Sequence, residues 1–384
     1  MERNINLLIL ILAIGTFGIL NTEMGIIGIL PQIATTFGVN ISEAGLFVSL
    51  FALGIAISGP IMPLVFSKFD RKNSFMFVLA IFVIFNILSA LTTNFNLALI
   101  FRILPAFFHP IYCSLSLTVA AELVPKEEVP KATSKVIMGV SAGMVLGIPV
   151  TTYLTSLFGY QIAMLWFTLV NIIALIATII YFPNMPGKKQ SYGSQVNVLK
   201  TTVFLLATFT IIILNTGQTT AYAYISQFLQ SVTHVYGLKL SIILLIYGLA
   251  SLVGNYIGGH LLSKSPNKTV LVYPFLVSAI FIIIFFIGKF TIPTILFIGL
   301  WGLIFGIGNN IMQFWITSAA PNALEFANGM FLSMGNIGTA IGTSIGGLVI
   351  MSINTQFIFI IATIIMIISW LFFLLRVKKY PVIN

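Results

Sequence analysis

Charge is what this chain has least of. Of its 384 residues, 7% are Asp, Glu, Lys or Arg, and eight are acidic. Soluble domains carry about 25% charged residues, so a water-covered globule of this length is excluded. There is one cysteine, Cys113, which rules out an intrachain disulfide and leaves the redox compartment unread. Neither His234 nor His260 stands near another ligand type at metal spacing, so no metal site is read. The chain has no nucleophile–base pair, no His-Glu-x-x-His and no phosphate-binding Gly-Lys motif. That argues against an enzyme and against an ATP-driven pump.

What fills the sequence instead is apolar: 59% of residues are hydrophobic and the mean hydropathy is +1.10. A helix needs about 20 apolar residues to cross roughly 30 Å of hydrocarbon. Twelve runs meet that length, near 6–30, 43–66, 73–92, 96–120, 134–156, 160–182, 201–225, 239–262, 270–288, 293–316, 326–351 and 355–376. The first run is too long for a signal-peptide core and no small-residue cleavage site follows it, so it reads as a retained span. The fold class expected is an all-α membrane protein of twelve helices.

The net charge of +10 invites a nucleic-acid reading, but the basic residues form no single patch. With twelve spans both termini share a side. That side collects Arg3, Lys68, Arg71, Lys72, Lys126, Lys131, Lys135, Lys188, Lys189, Lys200, Lys264, Lys268, Arg376, Lys378 and Lys379. The other side has Lys239 and Lys289, and Arg102 falls inside a run. Cytoplasmic loops carry the excess of Lys and Arg, so both termini are expected in the cytoplasm of a plasma-membrane protein, with no nucleic-acid partner.

The longest polar segment divides the chain into 1–182, a linker over 183–200, and 201–384. The halves share landmarks at a shift of 194 to 196: Leu20-Asn21-Thr22 with Leu214-Asn215-Thr216, Gly54 with Gly248, Ser67-Lys68 with Ser263-Lys264, and Gly143 and Gly147 with Gly338 and Gly342. A constant shift across several spans indicates parallel repeats about an axis along the membrane normal, a plan that puts substrate near the midplane between the halves.

One residue is out of place in this pattern. Glu23 lies within the first apolar run, where a charge costs about 2.5 to 3.5 kcal/mol on insertion scales. An acid kept there handles a proton, an ion or a substrate, or forms a structural ion pair.

The residues around it resemble the major facilitator superfamily, and within it the proton-driven drug/sugar efflux branch. Thr22-Glu23-Met24-Gly25-Ile26-Ile27-Gly28-Ile29-Leu30-Pro31 is similar to that branch's TEF-x-x-x-G-LLP stretch. Arg102 and His109 are spaced as in its R-x-L-x-A-x-x-H. Gly139, Gly143, Gly147, Ile148 and Pro149 resemble the antiporter G-x-P motif. Ser67-Lys68-Phe69-Asp70-Arg71-Lys72 departs from the superfamily's G-x-L-A-D-R-x-G-R-K loop. Ser67 stands at the Asp position and Asp70 at the second Gly, so the acidic partner of the gate is absent or displaced.

The resemblance implies two six-helix bundles whose spans one, four, seven and ten line a cavity, with no cofactor beyond the proton gradient and a monomeric protein. At 1.5 Å per residue Glu23 lies about 25 Å along its span, and Arg102 about 9 Å down from the opposite end of its own. Both then sit in the outer half, and a pairing between them is expected. His109, two turns from Arg102, shares its face and is read either as a relay member or as a packing histidine. Asn21, Asn215, Gln218, Tyr222, Trp301, Phe305, Asn309 and Gln313 are the candidate substrate contacts, in an apolar surface with a few hydrogen-bonding groups. Ser67, Asp70, Arg71 and Lys72 would form the gate loop. Gly139, Gly143, Gly147 and Pro149 would form a smooth helix face, with Pro149 loosening its helix. The function expected is proton-coupled efflux of drug-like or sugar-like solutes. A proton-coupled sugar or nucleoside importer, and a transport-inactive receptor, are the alternatives.

Overall fold

A computed structural model describes residues 2–125, 128–187 and 193–381. Every regular element among them is helical. Twelve segments are long and apolar enough to cross a membrane: Ile5–Phe37, Ile41–Ser58, Arg71–Leu91, Phe95–Glu122, Ala132–Phe158, Tyr160–Tyr181, Thr202–Ser231, Gly237–Lys264, Pro266–Ile287, Thr291–Thr317, Phe326–Ser352 and Thr355–Lys379. They are numbered below as spans one to twelve, and each overlaps its expected run. Spans nine and ten are separated by Gly288, Lys289 and Phe290, as the sequence indicates.

Four spans are broken, span two only at Gly45 between Ile41–Ala44 and Leu46–Ser58, and the breaks in spans one and four follow from sequence. Span one runs as a helix over Glu2–Gly25, tightens to a 3₁₀ turn over Ile26–Ile29 and resumes over Leu30–Phe37. Gly25 and Gly28 weaken the helix there, and Pro31 cannot donate to the carbonyl four residues back. Span four is a helix over Phe95–Ala106 and another over His109–Glu122, with Pro105 and Pro110 on either side of the break. Span seven is helical over Thr202–Tyr222 and Ile225–Ser231. The helix that carries Pro149 does not break: it runs from Val129 to Phe158.

Contacts divide the chain into two units. One comprises Met1–Gly38 and Ile57–Ser191, the other Val39–Ala56 and Tyr192–Asn384. This differs from a split at the 183–200 linker in one respect: the start of span two groups with the second half. The reason is local. Tyr224 donates from its hydroxyl to the Thr343 carbonyl at 2.9 Å, and Gly45 is close enough that a Cβ there would stand 2.1 Å from that hydroxyl. Residues 188–192 of the linker, with Lys188 and Lys189, lie outside the described residues, as does Lys126.

Within each unit, glycine sets how closely helices approach. In the first unit, Gly139, Gly143 and Gly147 of span five face span one: added Cβ atoms would stand 2.2 Å from the Ala13 carbonyl oxygen, 2.8 Å from Leu20 Cβ and 3.2 Å from Asn21 Cα. In the second, Gly338 and Gly342 of span eleven take the same part against span seven, 2.7 Å from the Ile212 carbonyl oxygen and 2.2 Å from Thr219 Oγ1. Spans eight and ten are closer still. A Cβ on Gly254 would lie 1.8 Å from the Leu303 carbonyl oxygen, and one on Gly306 2.0 Å from that of Ser251. Backbone cannot yield as a side chain can. Gly254→Val is therefore expected to destabilise the folded protein by about 2 kcal/mol or more. Gly259→Ala, on the same helix with nothing within 4 Å, should leave the thermal midpoint of purified protein unchanged.

Candidate functional site

The polar centre of the first unit is built at two helix breaks. Glu23 lies in the last turn of the first piece of span one, where carbonyls lose their partners four residues on. Its carbonyl accepts a hydrogen bond from Nη2 of Arg102 at 3.0 Å. Its carboxylate meets a different residue: Oε2 lies 3.0 Å from Nε2 of His109, the first residue of the second piece of span four. The side chains of Glu23 and His109 are 12% and 9% exposed, so the contact is largely removed from solvent. The expected attraction between Glu23 and Arg102 is joined by a third residue. Arg102 holds the backbone of Glu23, and His109 holds the carboxylate.

The geometry has a chemical consequence. A nitrogen and a carboxyl oxygen 3.0 Å apart share a hydrogen, carried either by Nε2 or by the carboxyl group. His109 is therefore bonded to Glu23 across the two spans rather than to its own helix alone. One turn further along span four, Cys113 Sγ lies 3.9 and 4.0 Å from the two ring nitrogens, nearly equidistant and so alongside the ring. Asn171 of span six steadies the same stretch of span one, donating to Thr22 Oγ1 at 3.1 Å. Asn21 is fully buried against Gly147 of span five, and neither atom of its amide has a hydrogen-bond partner among the described residues.

The gate-loop residues resolve into separate roles. Asp70 does not face Arg71. It caps span three, accepting from the Asn73 amide at 3.0 Å. Ser67 is buried and donates to the Leu64 carbonyl at 2.7 Å. Arg71 is buried, donates to the Ser67 carbonyl at 3.2 Å and lies 3.9 Å from Glu122 at the end of span four. Its backbone amide bonds the Met185 carbonyl at 2.8 Å, and Lys72 reaches the Ile179 carbonyl at 2.9 Å. The acidic partner missing from the loop is supplied by Glu122, 51 positions away, which no local motif reveals.

The second unit gathers aromatics instead of charges. Tyr222 stacks on Tyr247 with centroids 5.0 Å apart and lies 5.0 Å from Phe305. Tyr247 meets Trp301 edge-on at 5.2 Å, and Trp301 meets Phe281 at 5.3 Å. Gln218 donates to the Tyr273 hydroxyl at 2.5 Å. Gln218 Oε1, the Tyr247 hydroxyl and Trp301 Nε1 are buried and have no hydrogen-bond partner among the described residues. Tyr222, Trp301 and Phe305 are thus brought together, while Gln313 is not; Asn309 is half-buried on the same helix. Gln313 is exposed and reaches Asn328 on span eleven at 3.5 Å. Asn215 is engaged with span eleven, donating to the Gly335 carbonyl at 2.5 Å and to Thr339 Oγ1 at 2.9 Å. Tyr247 and Tyr273 escape the sequence reading because their spans, eight and nine, have all-round apolar patterns that mark neither.

The family model of the Major Facilitator Superfamily matches residues 12–325 and 204–383. The chain belongs to that superfamily. It is 28% identical over 379 residues to the inner membrane transport protein YdhP of Escherichia coli O157:H7, covering 98% of this chain and 97% of that one. It is 33% identical over 360 residues to the MFS-type transporter YtbD of Bacillus subtilis, covering 90% and 89%. A probable sugar efflux transporter of Helicobacter pylori P12 is 25% identical over 357 residues, covering 91% and 90%. The fold is similar to the nucleoside transporter NupG, with a TM-score of 0.78 at 17% identity over 97% of this chain and 99% of that chain. It is also similar to the xylose transporter XylE of E. coli, with 0.74 at 14% over 99% and 98%. The protein is a multi-pass member of a transporter family whose relatives are transport proteins of bacterial inner membranes, not enzymes.

Removing one partner of a desolvated ionic contact leaves the other buried alone. Glu23→Ala and His109→Ala are each expected to destabilise the protein by about 2 to 4 kcal/mol. The double substitution should cost about 1 to 3 kcal/mol less than their sum. Additive losses in a thermal-unfolding cycle would mean that the two side chains do not interact.

Proposed function

We propose that this protein is a proton-coupled exporter of small organic solutes, with both termini in the cytoplasm. The observation that supports the reading is the buried Glu23–His109 contact at two helix breaks, with Arg102 bonded to the Glu23 backbone. Charge inside a span is costly and is kept where it serves an ion or proton path. Glu23 accepts a proton from the outer side. The carboxyl group is then neutral, its attraction for an imidazolium is lost, and the clasp between spans one and four loosens. Deprotonation toward the cytoplasm restores it. The broken helices give the clasp somewhere to act, since an interrupted helix bends at its break.

The aromatic group around Tyr222, Tyr247, Trp301 and Phe305, with Gln218, supports a neutral or weakly polar solute of drug-like or sugar-like type. Ring faces cover apolar surface, while phenol, indole and amide tips offer hydrogen bonds. Relatives named as sugar efflux transporters support the outward direction. The energy source in this reading is the proton gradient, and the working unit is a monomer.

The test is accumulation of candidate drugs and sugars in cells, with solute-induced proton movement in inverted vesicles, for the wild type and Glu23→Gln. The wild type should lower accumulation and move protons when solute is added. Glu23→Gln should bind solute but lose gradient-driven transport, and His109→Gln should shift the pH at which transport is half-maximal. Transport by Glu23→Gln that still follows the proton gradient would refute the assignment of Glu23. Inward accumulation driven by protons would reverse the direction.

A further inference from the structure

Cations are scarce on one side of this chain. Lys239 and Lys289 face fifteen basic residues on the other, and such asymmetry is what membrane insertion favours. Lys289 nevertheless lines a concavity. A pocket of about 480 Å³ opens among the connections after spans seven, nine and eleven, and its lining includes Ser231, His234, Lys289, Asn354, Thr355 and Gln356. All of these residues belong to the second unit. The titratable groups in the lining are His234 and Lys289, and no Asp or Glu is among them.

The walls are held by hydrogen bonds. Thr233 Oγ1 donates to the Gly288 carbonyl at 2.8 Å, and the Val235 amide to the Leu229 carbonyl at 2.9 Å. Between those two anchors His234 is held at φ 58°, a left-handed conformation that a non-glycine residue rarely adopts. The Gln356 side chain donates to the Phe285 carbonyl, and Asn354 Oδ1 accepts from the Gln356 amide at 2.9 Å. Two connections are thus fastened to the end of span nine, beside Lys289. The third feature is a helix start. The turn Thr355–Phe357 runs straight into the 22-residue helix Ile358–Lys379, whose N-terminal end carries positive partial charge. Exposed Phe286 and Phe290 flank Lys289 in sequence, as aromatic residues do at the headgroup level.

We propose that this pocket binds an anionic group of the phosphate, sulfate or carboxylate class, on the face that the charge distribution assigns to the outside. Lys289 supplies the fixed charge, and the helix start and the Asn354 side-chain N–H supply directed polarity. The group belongs either to a free solute or to a lipid headgroup, since both present the same oxygens at this level. The site shares no residue with Glu23, Arg102 and His109, and stands whether or not they carry protons.

Inorganic sulfate is the probe, because its charge does not change between pH 6 and pH 8. Full-length protein in nanodiscs of neutral phosphatidylcholine is titrated with sodium sulfate, against sodium chloride at equal ionic strength, and the thermal midpoint is followed. The wild type should be stabilised in a saturable way. Lys289→Gln should weaken that response about tenfold or more, the loss of one charge-assisted contact. Lys239→Gln should behave as wild type. Nanodiscs containing anionic phosphatidylglycerol distinguish the sources. If lipid fills the pocket, wild type is already stabilised over Lys289→Gln there and sulfate adds nothing. If a solute fills it, the sulfate response is the same in both lipids. A response equal in wild type and Lys289→Gln, or no response in either lipid, would overturn the proposal.

Discussion

Much of the first unit depends on one contact, the carboxylate of Glu23 against the imidazole of His109. Each residue sits at the end of a helical piece, and neither piece continues straight on, because glycine and proline interrupt spans one and four at those points. A buried carboxylate alone would be costly, and a helix end alone would leave carbonyls unmet. Bringing the two breaks together offsets both costs: His109 takes the carboxylate, and Arg102 takes the carbonyl.

The second unit meets the same packing demands with different chemistry. Glycines of span eleven seat span seven as those of span five seat span one. At the position of Glu23, however, a shift of 194 places Gly217, and the polar groups nearby are amides and phenols. Asn215 finds two partners on span eleven, while Asn21 at the matching position finds none among the described residues. The repeats thus share a scaffold and diverge in cargo: one unit holds ionisable groups, the other an aromatic cluster tipped with hydrogen-bonding atoms. Arg376 follows the second pattern, with its guanidinium 3.9 Å from the Trp315 ring and bonded to Ser318 Oγ at 2.8 Å.

The spans were legible because their physics is one-dimensional. A bilayer admits only long apolar helices, so hydropathy alone located all twelve. The glycine faces were legible because four-residue spacing puts residues on one side of a helix. Partner choice was not. Arg102 and His109 are both within reach of Glu23 by depth, and which atom meets which depends on helix rotation and on the two breaks. Glu122 as the companion of Arg71, and Asp70 as a helix cap, reflect the same limit. Gln313, one turn beyond the stripe of Trp301 and Phe305, is exposed and does not share their surroundings.

The sequence by itself determined the membrane class, the number of spans, the repeat, the family and the one acid that had to be explained. The family follows from local motifs and the rest from composition and periodicity, none of which needs knowledge of neighbours. The tertiary structure decided that His109 meets the Glu23 carboxylate while Arg102 bonds the Glu23 carbonyl, that Tyr222 joins Tyr247 in an aromatic cluster, and that Lys289 shares a pocket with His234. Such contacts join residues tens of positions apart, and only the packing of helices fixes which side chains come within hydrogen-bonding or van der Waals range.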